Sequence, residues 1–188
     1  AGADGCDYTG ASFGVDPRIL GFWRNGGYRP VRLGVKRNRA SGAHSLVVAR
    51  GISAAGTQVT QTANRLFREQ MAYALPDLFA ELEPALAQAL CDGDAQSDSI
   101  PDDTEQRILR DFAHHRRSWP DSIAAINKLA GRGYSGLDPL SEKVMKQRVL
   151  QRKNWKQCAE ACGLSGRKQA ETALRRAVGI LIGGNAPD

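Results

Sequence analysis

Strand-period alternation is confined to the first third of this 188-residue chain, and that confinement limits what the chain can fold into. Between Tyr28 and Val35 the apolar positions Val31, Leu33 and Val35 alternate with Arg32, Gly34 and Lys36, the period of a half-buried strand. His44–Ala49 reads as a second strand, antiparallel to the first across a basic loop at Lys36–Ala43. Ahead of these, Cys6–Phe13 reads as a buried strand closing at Gly14. Asp16-Pro17 then starts a helix, with Asp as cap and Pro in the first turn. Ile19, Leu20, Phe22 and Trp23 form its apolar stripe, and Asn25-Gly26-Gly27 ends it. A β-α-β-β unit of about 45 residues buries too little apolar surface to stand alone. It calls for a partner sheet, from chain not present here or from a second protomer.

From Ser53 onward the texture is helical. A long helix runs to about Ala74, and Pro76 restarts a helix carrying Leu78, Phe79, Leu82, Leu86 and Leu90. Cys91–Asp103 is rich in Asp, Ser and Gly and reads as a mobile loop. Helices are expected at Thr104–His115, Asp121–Leu129, Ser141–Gln151, Trp155–Cys162 and Gly166–Ile182, with frayed residues from Gly183. The fold class is therefore α+β: a β-α-β-β unit over residues 1–53 and an all-helical region over 54–188.

The formal net charge of +6 hides segregation. Residues 76–105 hold nine Asp and Glu and no Lys or Arg, whereas residues 141–188 hold ten basic residues against four acids. Such a balance favours polyanionic partners but says nothing about fold. No apolar run approaches the roughly 18 residues of a membrane span, and no basic-then-apolar leader opens the chain. Cys6, Cys91, Cys158 and Cys162 read as reduced thiols of a cytoplasmic protein, since four cysteines in this length make no disulfide framework.

Four separated motifs agree in order and spacing. They are Asp7-Tyr8-Thr9-Gly10-Ala11-Ser12-Phe13-Gly14, Phe22-Trp23-Arg24-Asn25-Gly26-Gly27-Tyr28, Pro30-Val31-Arg32-Leu33-Gly34 and Ser41-Gly42-Ala43-His44-Ser45. Together they resemble the tRNA(Met) cytidine acetyltransferase family, which makes N4-acetylcytidine. The resemblance is close over residues 6–51 and looser through the helical region. It implies that residues 1–53 are the C-terminal half of a GNAT acetyltransferase domain and that 54–188 are a tRNA-binding tail. It also implies acetyl-CoA as cofactor, tRNA as partner, and ATP with magnesium in an upstream module. No G-x-x-x-x-G-K-[ST] loop occurs in these residues, and no glycine-rich pyrophosphate loop precedes Cys6. The expectation is thus a C-terminal piece that is inactive by itself.

The resemblance places Ser12, Phe13 and Gly14 beside the pantetheine arm and the helix bearing Arg18, Phe22 and Asn25 along the cofactor. Arg18 and Asn25 stand where the family has a Glu and an Arg. Trp23 occupies the place of a Tyr that protonates the leaving thiolate in many GNAT enzymes, a role an indole cannot fill. Tyr28 is the nearest phenol. His44 is the titratable candidate for a general base. Lys36, Arg37 and Arg39 form a candidate phosphate-contacting loop. For RNA the tail offers Arg116, Arg117, Lys153, Lys156, Arg167, Lys168, Arg175 and Arg176, the last four expected to face water. Taken alone, Trp155–Cys162, the turn Gly163-Leu164-Ser165 and Gly166–Ile182 have helix-turn-helix spacing, so a non-enzymatic basic adaptor is the alternative, with RNA favoured over DNA. The Gly131-Arg132-Gly133-Tyr134-Ser135-Gly136 run follows a helix rather than a strand and reads as a turn. Cys158 and Cys162 read as core residues, so no metal site is expected.

Overall fold

The computed structural model describes residues 5–92 and 102–183, which fall into two compact units, 1–98 and 99–188. The first unit is a three-stranded antiparallel sheet with helices. Strand β1 (Tyr8–Gly14), helix α1 (Pro17–Asn25), β2 (Arg29–Arg37) and β3 (His44–Gly51) follow in order, and β3 lies between the other two strands. Asp16 caps α1 by accepting from the amides of Arg18 and Ile19 at 2.8 and 2.9 Å. Gly27, at a φ of +79°, turns the chain into β2, a conformation that favours glycine. Phe13, Leu46 and Leu33 pair across the sheet and so share a face, on which Leu46 and Val48 are fully buried. The long helix α2 (Ala54–Leu78) lies against β2 and β3, and Asn64 donates to the Pro30 carbonyl at 2.7 Å. A shorter helix, α3 (Pro84–Cys91), completes the unit.

The start of α2 is locked to the start of β1. The Asp7 carbonyl accepts from the amides of Ile52 and Ser53, and the Ser53 hydroxyl donates to the Asp7 carboxylate while capping Gly56. Gly56 allows this approach: a Cβ there would lie 1.7 Å from the Asp7 carbonyl oxygen.

Several expectations change. Strand β1 is not buried. It is an edge strand whose side chains alternate between exposed and half-buried, because among the described residues only β3 pairs with it. Register shifts in β2 after Pro30 and after Leu33 break the simple alternation, so Pro30 and Leu33 are buried whereas Val35 is exposed. Strand β2 also runs on through Lys36 and Arg37, leaving a tighter turn at residues 38–43. Pro76 does not restart a helix. It sits in the last turn of α2, where its missing N–H costs one backbone bond and little helix is left beyond it to kink, and the new helix begins at Pro84. Residues 93–101 of the loop expected at Cys91–Asp103 lie outside the described residues, as does the terminus after Gly183, whereas Asp102 and Asp103 open a helix. The junction expected at 53/54 falls inside the first compact unit, because α2 lies on the sheet.

The second unit is helical: α4 (Asp102–Ala113), α5 (Ile123–Gly131), α6 (Pro139–Met145), a π-helical turn at Lys146–Leu150, α7 (Trp155–Cys162) and α8 (Arg167–Leu181). Leu109, Phe112, Ile126, Val144, Met145, Leu174, Ala177 and Val178 form its core. The helix expected over Ser141–Gln151 widens into the π turn, and Arg148 lies within it. The Arg148 guanidinium sits 4.4 Å from the Trp119 ring centroid and 5.0 Å from that of Trp155, so a cation takes the place of an apolar core residue.

Candidate acetyl-transfer and RNA-contact residues

Trp23 organises the end of the sheet. Its ring stacks on Phe13 at 5.6 Å, with 11° between planes, and meets the rings of Phe22 and Tyr28 edge-on. One aromatic cluster thereby holds β1, α1 and the entry to β2 together. On α1, Arg18, Phe22 and Asn25 are spaced four and three residues apart, so they occupy one face, and all three are exposed. Phe22 is 71% exposed, unusual for so large an apolar group. On the opposite sheet face from Leu46, the hydroxyls of Ser12 and Ser45 lie 3.0 Å apart. Gly14 lies tight against Ala43, 3.3 Å from where a Cβ would stand. The structure therefore gathers Ser12, Phe13, Gly14, Arg18, Phe22 and Asn25 around β1 and α1.

His44 and Tyr28 lie at opposite ends of the nine-residue strand β2, so they cannot serve one reacting centre together. His44 is buried. Its Nδ1 donates to the Gly34 carbonyl at 2.8 Å, its Nε2 accepts from Arg37 Nε at 3.3 Å, and its ring meets Phe79 edge-on. Both ring nitrogens have partners, through which His44 fastens β2 to β3. Tyr28 packs on Trp23 at 4.7 Å beneath the Arg50 guanidinium. It also borders a cleft of about 380 Å³ shared with Arg24, Arg29 and Asn64.

The basic loop divides in the same way. Arg37 donates to His44 and to the Glu81 carbonyl and lies 3.7 Å from the Glu81 carboxylate. Lys36 and Arg39 are exposed. Asn38 shapes the turn between them by accepting from the amides of Ala40 and Ser41.

In the tail, Arg116 and Lys156 are exposed, and so, as expected, are Arg167, Lys168 and Arg176. Arg117 donates to the Asp121 carbonyl, and Lys153 reaches Gln147. Arg175 breaks the expectation that it faces water: its side chain is 8% exposed, held against the Phe112 ring at 4.2 Å and paired with Glu171 at 2.6 Å. Its guanidinium donates to the carbonyls of Phe112 and Arg117, closing the C-terminal end of α4. Arg24 does the same for α3 through the carbonyls of Ala89 and Asp92, and Arg50 for α1 through Gly26. Sequence reasoning missed this use of arginine because the partners lie 24 to 68 residues away. Part of the basic composition is thus structural.

Burial and the neighbouring Cys162 push the Cys158 thiol up to about 11, so it is no nucleophile at neutral pH. Hydrogen bonds from Ser141 hold the Asp138 carboxyl below the ordinary carboxylate range, with Arg176 adding to the effect.

Residues 2–53 match the GNAT acetyltransferase 2 family. Curated relatives named tRNA(Met) cytidine acetyltransferase TmcA match almost the whole chain. The protein of Nitrosococcus halophilus is 34% identical over 96% of this chain and 25% of its own length. That of Vibrio cholerae is 31% identical over 94% and 24%, and that of Pyrococcus furiosus 29% over 83% and 20%. The chain spans about a quarter of the length of these relatives. A GNAT match thus falls on the β-α-β-β unit, and the chain is similar along both units to relatives of one name, tRNA(Met) cytidine acetyltransferase.

Proposed function

We propose that this chain is part of an RNA acetyltransferase that modifies the exocyclic N4 amine of a tRNA cytidine, the wobble cytidine of elongator tRNA(Met). Acetyl-CoA supplies the thioester carbonyl that the amine attacks, with coenzyme A leaving as the thiol. The observation that carries the reading is the GNAT match over residues 2–53, which falls on a sheet whose β1 edge is open and whose adjoining α1 face is exposed. Phe22 offers apolar surface to a cofactor arm, Ser12 and Ser45 offer hydroxyls, and Arg18 offers a cation for a phosphate. A cytosine amine is a weak nucleophile, since its lone pair is delocalised into the ring. Positioning by these groups therefore outweighs proton removal, which agrees with the occupied nitrogens of His44.

The second unit grips tRNA through phosphates with Arg116, Lys156, Arg167, Lys168 and Arg176, and Lys36 and Arg39 of the first unit also contact RNA. A helix-turn-helix reading has one observation in its favour, the left-handed Gly163 between α7 and α8. The match to relatives of one name over both units favours the acetyltransferase.

The test uses two proteins. The 188-residue chain alone is expected to bind tRNA with strong salt dependence and to form no N4-acetylcytidine. In the enzyme encoded by its complete reading frame, Phe22→Asp is expected to abolish N4-acetylcytidine, measured by nucleoside mass spectrometry, with tRNA affinity unchanged. Wild-type acetylation by Phe22→Asp, or micromolar acetyl-CoA binding by the 188 residues alone, would refute the cofactor placement.

A further inference from the structure

One cavity was invisible to the sequence reading. It lies on the outer face of α8, with a volume of about 630 Å³, and α6 and the α7–α8 turn supply its other wall. That size is ordinary for a small-ligand cleft. Its floor is apolar: Leu140, Leu164 and Ala173 line it, and Leu140 is 40% exposed. Its rim is cationic. Lys168 and Arg176 lie on α8 eight residues apart, two turns on one face, with Thr172 between them. Asp138 accepts from the amides of Leu140 and Ser141 and from the Ser141 hydroxyl, and its carboxylate lies 3.8 Å from Arg176 Nε. Arg176 thus borders the cavity, paired with one carboxylate and still 63% exposed to a further anion. Gln169 accepts from the Ser165 amide at 2.9 Å, which orients its amide NH₂ as a donor.

We propose that this cavity takes one unpaired nucleotide of the RNA, its base laid on Leu140, Leu164 and Ala173 and its phosphate on Lys168 and Arg176. The inference rests on the RNA-binding reading above and deepens it. A flat base has two apolar faces and a polar edge, which suits an apolar floor with donors around it. The adjoining phosphate suits the two cations. Only a nucleotide outside a helix can enter, because paired bases are stacked and their faces hidden. Phosphate contacts alone would need no floor, and an apolar peptide would offer no anion to Lys168.

Ala173→Trp fills the cavity without changing the charge, and Leu140→Gln makes its floor polar. Each is assayed in the 188-residue chain by fluorescence anisotropy, with tRNA and with an unpaired RNA pentanucleotide, after thermal melting confirms the fold. The expected result is a loss of between about fivefold and a hundredfold in affinity for both RNAs. The salt slope should be unchanged, since no phosphate contact is removed. Leu140→Gln carries the test should Ala173→Trp fail to fold, because Leu140 is already partly exposed. Folded variants that bind the pentanucleotide as the wild type does would overturn the nucleotide site. If Lys168→Ala with Arg176→Ala still lowered the tRNA salt slope in that case, the phosphate grip would stand without it. A wild-type chain with no affinity for tRNA would overturn both readings. Competition by duplex RNA equal to that of the pentanucleotide would overturn the preference for unpaired RNA.

Discussion

Arg175 and Arg176 are neighbours of the same charge, and their replacement by Ala should have unrelated consequences. The Arg175 guanidinium donates to the carbonyls of Phe112 and Arg117, pairs with Glu171 and covers the Phe112 ring. Arg175→Ala removes charge-assisted bonds to two carbonyls, each worth about 1.5–3 kcal/mol. It also leaves Glu171, 23% exposed, without its nearer cation. The sum points to a loss of about 3–5 kcal/mol, the range for breaking a buried ionic contact. For a unit of this size, each kcal/mol lowers the melting temperature by about 4–8 °C. A drop on the order of 15 °C or more is therefore expected for the helical unit. Arg176 is 63% exposed and 3.8 Å from Asp138, and Arg176→Ala should shift melting by no more than about 0.5 kcal/mol equivalent. RNA binding should divide the other way: Arg176→Ala lowers the salt slope by about one unit or less. Arg175→Ala below its melting temperature should leave that slope alone. Differential scanning calorimetry and anisotropy on the same samples decide the matter. An Arg175→Ala protein that melts with the wild type and loses one unit of salt slope would show that Arg175 faces RNA after all.

Two further substitutions test the framework. Gly56→Ala places a methyl 1.7 Å from the Asp7 carbonyl oxygen, so backbone must move, and the cost should exceed about 3 kcal/mol. Hydrogen exchange should report it as lost protection in β1 and the first turns of α2, and wild-type protection there would refute the close approach. Asp138→Ala removes the cap of α6 and should cost about 1 kcal/mol at neutral pH. The Asp138 carboxyl is depressed in the folded chain, so its contribution is fully present above the unfolded value and is lost as pH falls through the folded one. The stability gap between wild type and Asp138→Ala should therefore close at acid pH, and a gap constant from pH 7 to pH 2 would show that the cap does not depend on the charge.

What the sequence made legible was local. The Asp16-Pro17 start of α1 and both ends of α7 follow from caps and glycine conformation within a few residues, and each stands where expected. The common exposed face of Arg18, Phe22 and Asn25 on α1 also follows from the helix period. The failures share a cause, since each depends on partners far along the chain. Arg175 read as a surface cation because burial of a guanidinium on a distant helix end leaves no local signature, and neither does the seat of Arg148 between two tryptophans. The contacts of His44 with Arg37 and Phe79 were hidden for the same reason, since both partners reach it only in the folded unit. The cavity beside α8 joins three segments whose spacing gives no hint of a common floor.

The two margins of the sheet are built differently. Strand β2 carries Pro30, two register shifts and the charges of Arg29, Arg32, Lys36 and Arg37, all of which discourage a further strand. Strand β1, from Tyr8 to Gly14, has no charge, no proline and no shift in its pairing. Any strand that extends this sheet, from the same polypeptide or another, therefore joins at β1. Should two copies meet there about a two-fold axis, both open margins are consumed and a guarded β2 stands at each end of the joint sheet. Growth by this route terminates at a pair, and it offers no geometry for a filament.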